Sequence, residues 1–100
     1  MIVKKSEYIE LSRILIRKLY DETCFGKGSL YIETLKKGIP KNYIDKVEIV
    51  LNALVKQEIC GMKKKEHGWK YYLNIKRIDK IREIIKEKGG RSIIPILLVL

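Results

Sequence analysis

The chain of 100 residues is long enough for one small domain and too short for a large enzyme with several lobes. Hydrophobic residues make up 46% and charged residues 34%, so we expect a folded core rather than a disordered chain. The formal net charge of +10 favours a polyanionic partner, such as nucleic acid or an anionic membrane surface. Most of this excess lies in the second half, because residues 1–59 carry a net +3 and residues 60–100 a net +7.

The first half of the chain has the apolar periodicity of helices. Apolar residues at helical spacing predict a first helix over residues 7–22, with Ser6 as its N-cap. The stretch 25–29 interrupts this pattern. Ser29 is then expected to cap a short second helix that ends at Gly38.

A longer amphipathic stripe follows Pro40 and predicts a third helix that ends near Glu58. Its apolar residues are Ile44, Val47, Leu51, Leu54 and Val55. The residues that point the other way are expected on the surface: Asn42, Asp45, Lys46, Ile49, Asn52 and Lys56.

The pattern changes to a period of two after residue 59 and predicts a two-stranded hairpin with its turn at residues 66–68. Alternation places four apolar residues on the face that should pack on the helices: Trp69, Tyr71, Leu73 and Ile75. A fourth helix is predicted over residues 77–88, stopped by the glycine pair at 89–90.

This order of three helices, a hairpin and a further helix resembles a winged helix-turn-helix domain over residues 7–88. Residues 47–59 resemble the end of the recognition helix and the turn into the first wing strand of archaeal and bacterial winged-helix regulators. Residues 69–74 resemble the returning strand, which ends in a small polar residue that opens the next helix. The chain departs from the pattern at Glu58, where the family usually has glycine.

The resemblance implies an α+β, mainly helical fold with a three-helix core, a two-stranded β-hairpin wing, a C-terminal helix and an apolar tail. We expect the domain to span residues 1–91 and the tail residues 92–100. The implied function is sequence-specific binding of double-stranded DNA by a small transcriptional regulator, with the third helix in the major groove and the wing on the backbone or the minor groove.

The expected DNA contacts come from the third helix and the wing. On the helix they are Lys41, Asn42, Asp45, Lys46, Ile49, Asn52 and Lys56. On the wing they are Lys63, Lys64, Lys65, His67 and Lys70, which cluster about the hairpin turn. Asp45 and Glu48 would repel phosphate, so a merely solvated helix face is the alternative. A run of lysines on an exposed strand also protects the edge of a sheet.

A further phosphate contact is possible where backbone N–H groups are free at the start of the second helix, at Lys27, Gly28 and Ser29. No catalytic or metal-binding pattern is evident in the sequence, which has one His and two distant cysteines, Cys24 and Cys60. We therefore predict a protein that is not an enzyme and needs no cofactor.

The tail after Ser92 has only apolar residues and must be covered by other protein surface. We expect a homodimer, with the first and fourth helices and the tail at its interface. The tail contacts would be Ile93, Ile94, Ile96, Leu97, Leu98 and Leu100. The tail is too short to span a membrane, and residues 1–6 lack a signal-peptide pattern, so we expect a cytoplasmic protein without membrane insertion.

Two other functions stay open at this point. A winged-helix module can bind protein or structured RNA within a larger complex, since a fold does not fix a function. The basic second half and the apolar tail also allow weaker association with an anionic membrane.

Overall fold

Residues 3–86, which a computed structural model of the chain describes, form an α+β fold that is mostly helical with a small antiparallel sheet. The elements in chain order are α1 (Lys5–Asp21), β1 (Leu30–Tyr31), α2 (Ile32–Lys36), α3 (Lys41–Ile44), α4 (Val47–Lys56), β2 (Cys60–Lys65), β3 (Gly68–Leu73), one turn of 3-10 helix (Ile75–Arg77) and α5 (Ile78–Lys86). The three strands of this part of the chain are ordered β1-β3-β2.

Helix α1 begins two residues earlier than expected. Ser6 is not its N-cap, because the Glu7 carboxylate accepts a hydrogen bond from the Lys4 backbone N–H at 3.0 Å and closes the first turn from there. Its apolar stripe lies in the core, as the spacing predicts. The buried residues of this stripe are Tyr8, Leu11, Leu15, Ile16 and Leu19.

The predicted second helix is wrong in its first turn. Leu30 and Tyr31 form strand β1, and the helix begins only at Ile32. Leu30 pairs with Tyr71, and Tyr31 pairs with Lys70, so β3 provides the backbone partners that a helix would otherwise supply. The sheet therefore has three strands where the sequence predicted a two-stranded hairpin.

The predicted third helix is broken into α3 and α4 by a turn at Asp45 and Lys46. The break lies where two side chains reach back to α1, because Tyr43 donates to Glu10 at 2.8 Å and Lys46 to Glu7 at 2.5 Å. Helix α4 packs on α1 through an apolar stripe that includes three of the five predicted inward residues, whereas Ile44 lies in α3 and Val55 is only partly buried. The stripe consists of Val47, Val50, Leu51 and Leu54, all fully buried.

The hairpin of β2 and β3 confirms the expected strands, with a two-residue turn between Lys65 and Gly68. The predicted apolar face is correct for Tyr71 and Leu73, which are buried. Trp69 lies on the same face, but it is 45% exposed, and Ile75 is 55% exposed, so the expected burial is wrong for both. Trp69 lies one step further towards the hairpin turn than the buried Tyr71, and Ile75 lies in the 3-10 turn after the strand.

The turn from α4 into β2 has the left-handed backbone conformation typical of glycine, although the residue there is Glu58. Glu58 has a φ of 63°, in the left-handed region that glycine adopts more readily. Asn74 Nδ2 donates to the Glu58 carbonyl at 2.8 Å, and Asn74 Oδ1 accepts from the Lys76 N–H at 3.1 Å. Asn74 therefore stabilises this turn and opens the following 3-10 turn.

Helix α5 begins at Ile78, after the 3-10 turn, rather than at residue 77. Ile81 and Ile84 are buried, and the helix packs on α1. Its expected end near residue 88 and the stop at residues 89–90 lie outside the described residues.

Candidate nucleic-acid interface

The exposed side of α4 carries four of its residues at helical spacing: Glu48, Ile49, Asn52 and Lys56. Three residues that precede this helix, Lys41, Asn42 and Asp45, are also exposed. Six of the seven helix residues expected to contact DNA are therefore on the surface. We call the exposed residues of α4 the helix surface.

Lys46, the seventh of these residues, points back towards α1. Its ammonium and the Glu7 carboxylate are 2.5 Å apart, and their side chains are only 19% and 16% exposed. The hydrogen bond from Lys46 lowers the pKa of Glu7 below its ordinary value, and the bond from the Lys4 backbone adds to this. Lys46 thus fixes the start of α4 against α1 rather than extending from the helix surface.

Alternation divides the hairpin side chains between two faces. The register pairs Cys60 with Leu73, Met62 with Tyr71 and Lys64 with Trp69 on the inner face, which packs on the core near the base of the hairpin. The outer face of the sheet carries Tyr31, Gly61, Lys63, Lys65, Gly68, Lys70 and Tyr72. The wing lysines, expected as one cluster, therefore point to opposite sides of the sheet.

The inner face ends in an exposed pair at the tip of the hairpin. Lys64 Nζ lies 5.9 Å from the centroid of the Trp69 ring. Further along the same face, burial raises the pKa of the Tyr71 phenol, and the negative charge of Glu48 adds to this effect. Glu48 is in the first turn of α4, and this helix packs on β2.

The outer face pairs lysines with tyrosines. Lys70 Nζ lies 4.9 Å from the centroid of Tyr31, and Lys63 Nζ lies 5.8 Å from the centroid of Tyr72. Lys63 also donates to the Gly26 carbonyl at 2.7 Å. His67, in the exposed turn, places its ring edge-on to Tyr31 with 6.3 Å between centroids.

Three aromatic residues beside the wing lysines were not among the predicted site residues: Tyr31, Trp69 and Tyr72. The period of two already places Tyr72 beside Lys70 and Trp69 beside Lys64, once the hairpin turn is known. Tyr31 gave no such signal, because the sequence assigned it to a helix and its strand forms only by pairing with β3.

The expected phosphate contact at the start of the second helix does not have the predicted geometry. The residue that precedes α2 is Tyr31, so Lys27, Gly28 and Ser29 lie before β1 and not at a helix N-terminus. The space beside Gly28 is filled by the chain itself, since a Cβ there would lie 3.1 Å from the Thr23 carbonyl oxygen.

The tail residues expected at a dimer interface lie outside the described residues. The two helices expected there, α1 and α5, pack against each other. Beside them lies a groove of about 560 Å³, lined by Ser6, Ile9, Glu10, Arg13, Ile14, Arg17 and Ile85.

Neither cysteine is placed for chemistry, since Cys24 and Cys60 are both buried and free. Burial raises the pKa of the Cys60 thiol to about 12. Among residues 3–86, no group of His, Cys, Asp and Glu side chains is arranged to hold a metal ion.

Comparisons with known proteins give no further assignment: no family model, no curated protein and no solved structure matches the chain. No helix within residues 3–86 is both long and apolar enough to cross a membrane.

Proposed function

We propose that the protein is a winged helix-turn-helix regulator that binds double-stranded DNA. The order of its elements supports this proposal, because a helix, a short strand and three helices precede the hairpin, and β3 lies between β1 and β2. In this arrangement α4 is the recognition helix and the β2-β3 hairpin is the wing.

The observation that carries the proposal is the packing of α4 on the hairpin. Helix α4 contacts β2, the first strand of the hairpin, and the inner face of the hairpin ends at the exposed pair of Lys64 and Trp69. A duplex that receives the helix surface in its major groove meets the wing tip on the same side. Lys64 then neutralises a backbone phosphate, and the Trp69 ring packs on the sugars.

The helix surface offers groups that read bases. The major groove is about 12 Å wide and admits an α-helix. Asn52, in the middle of α4, donates to and accepts from the edge of adenine, and Ile49 contacts a thymine methyl group. In the proposed complex, Lys41 at the start of α3 and Lys56 at the end of α4 contact phosphates.

The two carboxylates on this side restrict where the backbone can lie. Asp45 and Glu48 are both exposed near the start of α4 and repel phosphate. In the proposed complex they face base edges, where Glu48 accepts from the amino group of cytosine. Their repulsion of phosphate lowers the affinity for every duplex. A larger share of the binding free energy then comes from contacts with the bases of the correct sequence.

The proposed protein acts in the cytoplasm as a homodimer on two half-sites, since one small module makes few specific contacts. Pairing of two copies through α1 and α5 would cover Ile9, Ile14 and Ile85. Sedimentation of the full chain tests this part. A dimer that dissociates on Ile14→Glu supports it, and a monomer at high concentration contradicts it.

Selection from a pool of randomised duplexes tests the proposed function. The unmodified chain should enrich one motif, whereas Asn52→Ala should lose preference at one adenine and keep the rest of the motif. Glu48→Gln should raise affinity for unselected duplex, because it removes a charge that repels phosphate. Arg82→Ala, at an exposed position of α5, is the matched control and should leave the motif unchanged. Enrichment of no motif would contradict sequence-specific binding.

Failure of the chain to bind any duplex would favour a protein as its partner. The acidic residues at the start of α4, Asp45 and Glu48, also suit the surface of a basic protein. If no duplex binds at low salt, these residues indicate a protein partner rather than DNA.

A further inference from the structure

The outer face of the sheet carries a second ligand site, and we propose that it binds a single strand of nucleic acid through unpaired bases. The site consists of Tyr31, Lys63, Lys70 and Tyr72. It lies on the opposite side of the sheet from the inner face, which the proposed duplex complex uses. The inference therefore goes beyond the proposed function and does not depend on it.

The charge of this face fits a polyanion. Its side chains on the three described strands are three lysines, two tyrosines and two glycines, without a carboxylate. Lys63 and Lys70 are directly opposite each other in the register of β2 and β3. Two like charges at this position repel each other, and an anion bound between them relieves the repulsion.

The tyrosines supply flat surfaces for bases. Tyr31 and Tyr72 are both partly exposed. Tyr31 is paired with Lys70, two residues before Tyr72 on the same face, so the two tyrosines are diagonal neighbours. Diagonal positions in a sheet lie about 7 to 8 Å apart, close enough for bases of one strand to reach both rings. Aromatic rings interleaved with cations are typical of proteins that bind single-stranded nucleic acid without sequence preference.

Gly61 keeps the Tyr72 ring flat on the sheet. A Cβ at this position would lie 2.4 Å from Tyr72 Cζ and 2.5 Å from Cε2, so the ring occupies the space of a side chain. An aromatic ring that crosses a strand glycine covers the backbone there and turns its second face outward. Gly61 is therefore part of the site, although it contacts no ligand.

The ammonium groups of Lys63 and Lys70 exchange partners when a single strand of nucleic acid binds. In the free protein each ammonium lies over a tyrosine ring, at 4.9 Å for Lys70 and 5.8 Å for Lys63. A cation over an exposed ring is held more weakly than a base stacked on it. A base therefore displaces the ammonium, which moves to the phosphate beside that base. Lys63 Nζ also donates to the Gly26 carbonyl, and this hydrogen bond keeps the ammonium close to the bound nucleic acid.

Titration of labelled oligonucleotides with the full chain tests the proposal. The probes are oligo(dU) and oligo(U) of about 12 nucleotides, which differ only in the sugar and whose length is within the range of one small domain. Tyr31→Ala with Tyr72→Ala should weaken binding roughly tenfold or more, because each base loses its stacking partner. Tyr31→Phe with Tyr72→Phe keeps both rings and should bind as the unmodified chain does. Binding of either strand supports the proposal, and the tighter of the two identifies the sugar.

Trp69→Ala is the matched control, since it removes an exposed aromatic residue from the other face and should leave single-strand affinity unchanged. Gly61→Ala keeps both tyrosines, displaces the Tyr72 ring and should weaken binding; thermal unfolding checks that each variant is folded. No binding of either strand at low salt, or equal affinity in the double alanine variant, overturns the proposal. A duplex probe run in parallel separates this result from a failure of the proposed function.

Discussion

Lys46 and Glu7 form an ion pair of 2.5 Å that joins the start of α4 to the first turn of α1, and both side chains are largely buried. The pair lies beside the hydrogen bond from Tyr43 to Glu10, so two contacts with α1 hold the turn between α3 and α4. The orientation of the helix surface therefore depends on acidic residues that are distant in sequence.

Replacing Glu7 should make stability less dependent on pH. The pKa of Glu7 is lowered from its ordinary value of 4.5, chiefly by the hydrogen bond from Lys46. Its contribution to the free energy of unfolding is therefore present above pH 4.5 and lost as the pH falls through the lower folded-state pKa. Glu7→Gln should be less stable than the unmodified chain near neutral pH, and the difference should narrow in acid. Urea denaturation at several pH values measures this.

Glu33→Gln removes an exposed carboxylate of α2 and controls for the change in net charge. The ion-pair account fails if the difference between Glu7→Gln and the unmodified chain is the same at every pH.

Glu58→Gly should stabilise the fold, because Glu58 has a φ of 63°. The left-handed conformation costs a residue with a side chain about 1 to 2 kcal/mol, and glycine avoids most of this cost. The greater conformational freedom of glycine in the unfolded chain offsets part of that stabilisation. The exposed pair with Arg77, 3.6 Å long, contributes little. We expect the free energy of unfolding to rise by about 0.5 to 1 kcal/mol in urea denaturation.

The contrasting change is Arg17→Gly, in the exposed middle of α1, where the backbone is helical. It should lower the free energy of unfolding by about 1 kcal/mol. A loss of stability in Glu58→Gly would mean that its side-chain contacts outweigh the backbone strain.

Both thiols should be protected from alkylation in the folded protein. Cys24 and Cys60 are buried, and burial raises the pKa of each, to about 12 for Cys60. The thiolate is the reactive form, so labelling at pH 8 should require opening of the structure and should become fast in denaturant. Mass spectrometry after a maleimide pulse measures it. Lys64→Cys provides an exposed thiol that should react at once, and equally fast reaction of Cys60 would contradict its burial.

Trp69 should report duplex binding directly, as the one tryptophan of the sequence. Its ring is 45% exposed beside Lys64 at the wing tip. Contact with the sugar-phosphate backbone should change its emission in parallel with the anisotropy of a labelled duplex. Single strands bound to the outer face should leave it unchanged. Saturated duplex binding without a change in emission would show that the wing tip is not at the interface.

The sequence predicted those parts of the fold that depend on local periodicity. The stripe of Val47, Leu51 and Leu54 is buried as expected, and the strands of the hairpin follow from alternation. The sequence showed Glu58 at a position where the family usually has glycine, but it did not predict that Glu58 adopts the left-handed conformation.

The errors come from contacts between distant residues. Strand β1 exists because Leu30 and Tyr31 pair with β3, some 40 positions later in the chain. The break before α4 is set by Lys46 and its partner on α1, which helical periodicity does not indicate. The same limit applies to the candidate site, where the wing lysines formed one cluster in sequence and two faces in space.

The salt dependence of duplex binding tests the central claim most directly. Three lysines are placed to contact phosphates, Lys41, Lys56 and Lys64, so the logarithm of the association constant should fall against the logarithm of salt concentration with a slope of about −3. Replacing Lys64 by Gln, the wing-tip variant, should reduce the magnitude of the slope by about 1. The matched outer-face variant is Lys70→Gln, which removes the same charge from the outer face.

If the wing tip and α4 together bind the duplex, the outer-face variant keeps the original slope and the wing-tip variant does not. Equal slopes for both variants, or an unmodified chain that does not bind duplex at low salt, would contradict the account.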